Sequence, residues 1–348
     1  MRILQVGSGL HDWGGIERYV ATLSQGLADI VQVEATVPAD SPLDRRLSIA
    51  RHRIAVRHKH DLRALLAYLK LFKRERYDVV HVHFNPDFLI VPFAARKRHQ
   101  GPVVMSRHVA LPWSPGKVRL YTRGVRRIVP VSVAVKRVLL ASGVPEDLMT
   151  VAKAGTPTPE LGHDRLLVRH RMDIEGFAVG YFGRLTPEKG VSMLLEATRN
   201  PAFPGTAYVF GRGPLEADLR AAAHERFRPM GYVEDVAEAM AAMDVIVVPS
   251  QWEEAFPYSV LEAMALGRPV VGTRTGGLPE LVEPGKTGLL FEKSDVQALA
   301  VALTMLANDE PLREQMGENA LARHRAEYTV QAMTDRMLRV YVDVVRSM

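Results

Sequence analysis

Among its 348 residues the chain has no cysteine. That absence excludes a disulfide framework, thiolate catalysis and every Cys-ligated metal site, and it predicts a cytoplasmic address. Long apolar runs are missing too: none approaches the ~18 residues of a membrane span. After Arg2 the apolar stretch is only Ile3 to Val6, with Gln5 inside it, so no signal peptide is expected. Aromatic residues make up 7% of the chain, and few interleave with its basic stretches. Stacking platforms for single strands are therefore lacking, and no nucleic acid partner is expected.

What is present is the composition of a globular protein, 47% hydrophobic and 24% charged. Single cores stop growing near ~250–300 residues, so this length predicts two domains. The net charge of +6 conceals a division. Residues 1–160 hold 25 Lys and Arg against 13 Asp and Glu, and the remainder holds 20 against 26. Dense basic stretches run from Arg45 to Lys59, from Lys70 to Arg76 and from Arg96 to Arg98. Such a lobe attracts anions, either a phosphorylated acceptor or an anionic membrane surface, unless the charge merely keeps that face solvated.

Short apolar strands alternate with longer helical patterns, the signature of a parallel α/β sheet. Strands are expected at Ile3–Val6, Val31–Val37, Ile54–Val56, Val79–Val82, Val103–Met105 and Ile128–Val131. A helix from Asp61 is expected to turn Leu62, Leu65, Leu66, Leu69 and Phe72 to one face, either toward the core or onto a membrane surface. Residues 154–162, with two prolines and two glycines, read as a linker. The alternation then restarts, with strands at Phe177–Phe182, Thr206–Phe210, Val245–Val248, Pro269–Thr273 and Gly288–Phe291. From Ser294 onward the pattern is helical. The chain is thus expected to form two doubly wound domains, with ligands in a cleft at the carboxyl ends of the strands. The expected boundaries are 1–160, 161–328 and a helix over 329–348 that returns to the first domain.

Several motifs fail. Gly7-Ser8-Gly9 follows the first strand, but Asp12 stands where a dinucleotide fingerprint needs its third glycine. Gly285-Lys286-Thr287 resembles the end of a phosphate loop, yet Glu280 occupies the first glycine position. No Asp-x-Asp pair is present, so no metal-chelating site of that kind is expected. His81 and His83 share one face of a strand end, a spacing that suits a metal, but the sequence offers no obvious third ligand.

Other motifs hold together. Pro257 suits the first position of a helix that runs to Gly267. Glu254 then lies in the loop before that helix and Glu262 within it. The helix start near Phe256, Tyr258 and Ser259 is a ready anion site, so a docked diphosphate would have one carboxylate on each side. Gly183-Arg184 and Lys189-Gly190 flank a second strand-to-helix turn, where Arg184 and Lys189 can converge on one phosphate group.

These residues resemble the retaining glycosyltransferases of the GT-B fold, family 4. Glu254 to Glu262 resembles the family's E-x7-E motif, and Gly183 to Gly190 its donor-phosphate segment. Gly14-Gly15-Ile16-Glu17-Arg18, Asp78 to His83, Val131 to Lys136 and Ser142 to Pro145 match in the first half. Gly211 to Pro214, Gly231-Tyr232-Val233 and Gly276 to Glu280 follow in the expected order. The resemblance covers essentially the whole chain, and the ordered set is far more specific than E-x7-E alone.

The resemblance implies roles. Glu254 orients the transferred sugar, Glu262 binds the ribose diol, and Arg184 and Lys189 neutralise the departing diphosphate. Gly14 and Gly15 bring backbone amides to the same phosphates, His108 sits beside the donor sugar, and Tyr232 and Val233 border the nucleobase. It further implies transfer with retention, with no metal and no cofactor, from a nucleotide-diphosphate sugar to an acceptor hydroxyl. From charge alone, the basic first lobe suggests a phosphorylated or membrane-borne glycan, such as a lipopolysaccharide or lipid-linked intermediate, and so polysaccharide or lipopolysaccharide synthesis at the inner face of the membrane. Two alternatives stay open: a nucleotide-sugar epimerase or hydrolase of the same fold, and a non-catalytic nucleotide-sugar binding protein. The sequence departs from the family at Pro257, where glycine is commoner, at Arg212, where an acid is usual, and at Ala154, where asparagine is usual.

Overall fold

The structure is a computed structural model that describes residues 1–203 and 205–347. Pro204 and Met348 lie outside them, and with Met348 the final position of the expected 329–348 segment. Residues 1–155 and 330–347 form one compact unit, and residues 156–329 form a second.

The first unit is a run of strands and crossover helices. In chain order these are β1 (Arg2–Val6), α1 (Gly15–Ala28), β2 (Gln32–Val37), α2 (Pro42–Arg46), β3 (Ala50–Arg53), α3 (Leu62–Arg74) and β4 (Val79–Val82). They continue with α4 (Asp87–Lys97), β5 (Val103–Arg107), α5 (Pro115–Thr122), β6 (Arg127–Pro130) and α6 (Val133–Ala141). The six strands form one parallel sheet in the order β3-β2-β1-β4-β5-β6. Ile3, Leu4, Val79, Val80 and Val104 are fully buried, as expected for a sheet with helices on both faces.

The third strand is Ala50–Arg53, not Ile54–Val56. Its Ala-Arg-His-Arg sequence gives no apolar signal because it is an edge strand held by charge. Arg51 and Arg53 reach Asp44 at 2.5 and 3.4 Å, and His52 reaches Glu34 at 2.9 Å. Ile54 and Val56 are buried just past its end. The apolar stripe expected on α3 does not face the core as a set. Ala64, Tyr68, Leu71 and Phe72 are the buried positions, whereas Leu62 is 71% exposed and Leu66 66%. Tyr68 wins the inner face because its hydroxyl is satisfied there by Ser8 and, at 2.8 Å, by Thr36.

The second unit repeats the plan. It contains α7 (Arg165–Arg171), β7 (Ala178–Phe182), a 3-10 turn (Pro187–Lys189), α8 (Val191–Thr198), β8 (Thr206–Phe210), α9 (Glu216–Ala221) and β9 (Phe227–Gly231). Then come α10 (Val236–Ala242), β10 (Val245–Val248), α11 (Tyr258–Ala265), β11 (Val270–Thr273), α12 (Leu278–Leu281), β12 (Gly288–Phe291), α13 (Val296–Asn308) and α14 (Glu310–Glu327). The parallel order is β12-β11-β10-β7-β8-β9. Strand β9 has no counterpart in the sequence reading: it contains Pro229 and pairs across a register shift at Val209/Phe210, so it suits only the sheet edge.

Helix α15 (Val330–Arg346) belongs to the first unit and packs on α1. Gly26 permits this approach, since a Cβ there would stand 2.4 Å from Thr334 Oγ1. Among the described residues no helix is long and apolar enough to cross a membrane.

Both sheets reverse strand order at one point, between β1 and β4 in the first and between β7 and β10 in the second. In open α/β sheets, ligands bind beyond the carboxyl ends of the strands at such a reversal.

Candidate active site

In the second unit the reversal brings together the loops that follow β7 and β10. The Glu188 carbonyl accepts from the amides of Gln251 (2.8 Å) and Trp252 (3.2 Å) and from Ser250 Oγ (3.3 Å). Gly190 ends the 3-10 turn in the left-handed region, at φ +70°, where a side chain would be strained. So laced, the loops set Lys189 Nζ 2.5 Å from Glu254 Oε1, and Ser250 Oγ donates to the same oxygen at 2.8 Å. Both charged side chains are largely covered, so little of their attraction is screened by water.

The backbone of Glu254 is held from the other side by Gly276-Gly277. The Gly277 amide donates to the Glu254 carbonyl at 2.6 Å, and a Cβ on Gly276 would come within 2.1 Å of that oxygen. Neighbouring Glu253 is tied to Lys293 at 2.5 Å and to the Gly276 amide at 2.8 Å. Pro257 takes the cap position of α11 rather than its first turn, with φ −71° and ψ 124°. Its extended ψ keeps it outside the helix, so the helix begins one residue later than expected, a shift within the ordinary spread of helix boundaries. Phe256 is buried edge-on against Tyr328, with ring centroids 5.9 Å apart. Tyr258, Ser259 and Glu262 are half-buried along α11, whose amino end carries positive dipole.

Arg184 and Lys189 share a loop but not a partner. The Arg184 side chain is 72% exposed and lies 3.8 Å from Glu188, while Tyr181 donates from its hydroxyl to the Arg184 carbonyl at 2.7 Å. Gly183 and Gly211 are in backbone contact, since a Cβ on Gly211 would stand 1.9 Å from the Gly183 carbonyl oxygen. Arg212 lies over the ring of exposed Tyr232, 4.6 Å from its centroid, with half-buried Val233 beside it.

In the first unit, Gly14 and Gly15 open α1, and Glu17 Oε2 accepts from the Gly14 amide at 3.0 Å. Tyr19, one turn on, meets the ring of His108 edge to face with centroids 4.6 Å apart. His108 follows β5, and burial, reinforced by Arg107, holds its pKa down at about 3. It is therefore a neutral imidazole near pH 7. Its Nε2 lies 3.4 Å from Nδ1 of His83. Among the described residues no group of three or more His, Asp or Glu is placed to hold a metal ion. Instead, His81 and His83 contact Tyr341, Ser106, Gln5 and His108.

Sequence reasoning missed Ser250, Tyr19 and Gln5. Ser250 had one signal, its place directly after a strand in a Pro-Ser turn. Tyr19 and Gln5 had none, because their partners are distant in the chain.

Two parallel sheets of this order, each with a polar cluster at its reversal point, define the GT-B class of glycosyltransferase folds. HepE of Anabaena, solved with UDP and with UDP-glucose, is similar over 99% of this chain and 100% of its own in the UDP complex, with TM-score 0.87 and 22% identity. Residues 13–158 match the family described as Glycosyltransferase Family 4, and residues 176–309 match that described as Glycosyl transferases group 1. The chain belongs to glycosyltransferase family 4. It is 29% identical over 289 residues to WcaL of Salmonella typhimurium, named for colanic acid biosynthesis, across 75% of this chain and 69% of WcaL. A D-inositol 3-phosphate glycosyltransferase of Corynebacterium jeikeium is 35% identical over 53% of this chain, and the match spans only 48% of that relative.

Proposed function

We propose that the protein transfers a sugar, with retention and without a metal, from a nucleotide-diphosphate donor to a hydroxyl of a glycan or lipid-linked acceptor. The setting is the synthesis of cell-surface polysaccharide or lipopolysaccharide. The Lys189–Glu254 pair is the observation that carries this reading. The two groups satisfy one another's charge at the amino end of α11. A diphosphate arriving there competes for the Lys189 ammonium, and Glu254, still held by Ser250, is then free to accept from sugar hydroxyls. Lys189, Arg184 and the helix end stabilise the charge that grows on the diphosphate as it leaves. Glu262 takes the ribose diol, Tyr232 and Val233 border the base, Gly14 and Gly15 offer amides to the phosphates, and His108 meets the donor sugar.

The bond broken joins the anomeric carbon to the phosphate oxygen. The bond formed joins that carbon to the acceptor oxygen on the same face, and the acceptor proton passes to the departing diphosphate. No covalent nucleophile is required. The UDP-glucose complex of HepE supports a nucleotide-sugar donor, and the name of WcaL supports a polysaccharide product.

Charge and exposure support the acceptor side. The first unit holds 28 Lys and Arg against 14 Asp and Glu, and the second holds 17 against 25. On α3, exposed Leu62 and Leu66 stand among Arg63, Lys70 and Lys73. That combination suits contact with an anionic membrane, and so a place at its inner face.

Thermal shift with UDP-, GDP-, ADP- and dTDP-sugars identifies the donor. Proton NMR of the product, with and without a chelator, then tests retention and metal independence. Free or rearranged sugar formed without an acceptor would point to the epimerase or hydrolase reading. Donor binding with no turnover across a broad acceptor screen would point to a binding protein.

A further inference from the structure

A chain of buried side chains in the first unit ends on His108. Parallel strands place Gln5 (β1) in register with His81 (β4), and His83 lies two residues on, on the same face. Tyr341 descends from α15 onto this row. Gln5 Nε2 donates to the Tyr341 hydroxyl at 3.0 Å, and Gln5 Oε1 lies 2.7 Å from His83 Nε2. His83 Nδ1 lies 3.4 Å from His108 Nε2. Tyr341 also contacts His81 Nδ1 at 2.6 Å, and His81 Nε2 reaches Ser106 Oγ at 2.8 Å.

The donors and acceptors in this row run in one direction. An amide oxygen only accepts, so the hydrogen between Gln5 and His83 sits on His83 Nε2. Burial keeps His83 neutral, which leaves its Nδ1 with a bare lone pair. The hydrogen between the two histidines must then come from His108 Nε2, and His108 Nδ1 is left as an acceptor. At the other end, Tyr341 accepts from Gln5 and gives its own hydrogen to His81. Tyr19, edge-on to the His108 ring, limits its rotation.

We infer that Tyr341, Gln5 and His83 are positioning residues that fix His108 as the tautomer with a bare Nδ1, so that His108 accepts a hydrogen bond from a hydroxyl of the donor sugar. This rests on the reading that His108 meets that sugar. The helix carrying Tyr341 thereby controls a group more than two hundred residues away in sequence.

The test uses the full-length enzyme with nitrogen-15 labelled histidine, and His108→Asn identifies the His108 signals. The expected result is a protonated Nε2 and bare Nδ1 on His108 in the wild type, and a mixture of tautomers in Tyr341→Phe. A protonated Nδ1 in the wild type, or an unchanged His108 spectrum in Tyr341→Phe, overturns the inference. Kinetically, Tyr341→Phe should lower kcat/KM roughly 10–100-fold, by analogy with partners that orient metal-bound histidines. Added to His108→Asn it should have no further effect, because it acts through that ring. A full additional loss in the double variant would mean a merely structural role and also overturns the inference. If His108→Asn alone turns over at the wild-type rate, the placement of His108 beside the sugar fails, whereas the tautomer spectrum still reports on the chain. Gln5→Met breaks the same row one link nearer and replaces Tyr341→Phe if that variant does not fold.

Discussion

Gly190 and Pro249 are in backbone contact: a Cβ on Gly190 would stand 1.9 Å from the Pro249 carbonyl oxygen. The contact clamps the loop after β7 onto the loop after β10. Lys189 precedes one partner and Ser250 follows the other, so the clamp sets the geometry in which both meet Glu254.

Gly190→Ala therefore faces two penalties, a left-handed φ of +70° and a collision with unyielding backbone. The expected cost is about 1–3 kcal/mol of stability, with at least tenfold lower kcat/KM for the donor. Thermal unfolding together with donor turnover checks this. An alanine variant melting within a degree of wild type would contradict the clamp.

Lys189→Met and Glu254→Gln should each lower kcat by roughly 10²–10³. Lys189→Met also strands a largely covered carboxylate, so it should melt below wild type, and adding Glu254→Gln should restore part of the loss. Steady-state kinetics and melting of the two single variants and the double complete the cycle. Fully additive effects would mean that the two residues act independently.

Stability should respond to pH in two opposed ways. Asp87 accepts from Ser8 Oγ at 2.9 Å and the Gly9 amide at 3.2 Å, and burial pushes its carboxyl up to about 7. A carboxyl raised above its unfolded value of ~3.9 gives stability that is full below that value and lost as pH rises toward 7. His81, His83 and His108 are held down by burial, so their contribution is full above the unfolded value of ~6.5 and declines as pH falls. Urea unfolding between pH 5 and 8 should show Asp87→Asn gaining on wild type as pH rises. A pH-independent difference between the two proteins would rule out titration of Asp87.

Replacing Leu62 and Leu66 together by serine should leave thermal stability and turnover of a soluble acceptor nearly unchanged, because both side chains are exposed. Retention on anionic vesicles at low salt should fall at least tenfold, since each leucine that enters the bilayer contributes roughly 1.5–3 kcal/mol. Vesicle sedimentation measures this, and equal retention of both proteins would remove α3 from the membrane surface.

Much of the architecture was legible because buried parallel strands carry their own signal. Val245–Val248 is a continuous β-branched run and Val79–Val82 one interrupted only by His81, and each is a strand as read. The edge strands were harder. Ala50–Arg53 is stabilised by ion pairs and Phe227–Gly231 carries a proline, so neither displays an apolar pattern. Helix α3 shows a further limit: five apolar residues fit one helical stripe, yet the hydrogen bonds of Tyr68 decided which side was buried. In the site, Glu254, Lys189 and His108 stood out by spacing and resemblance. The Lys189–Glu254 ion pair spans 65 residues, and the bond from Gln5 to Tyr341 spans 336, so no local pattern could announce either.

Because Tyr341 completes the interior around Gln5, the first sheet cannot be finished when its own strands leave the ribosome. It must wait, with a row of polar side chains lacking their partner, until the whole second unit has been synthesised. A lesion in α15 therefore damages a unit whose strands were made long before that helix, and co-translational folding of that unit stays provisional until the helix arrives.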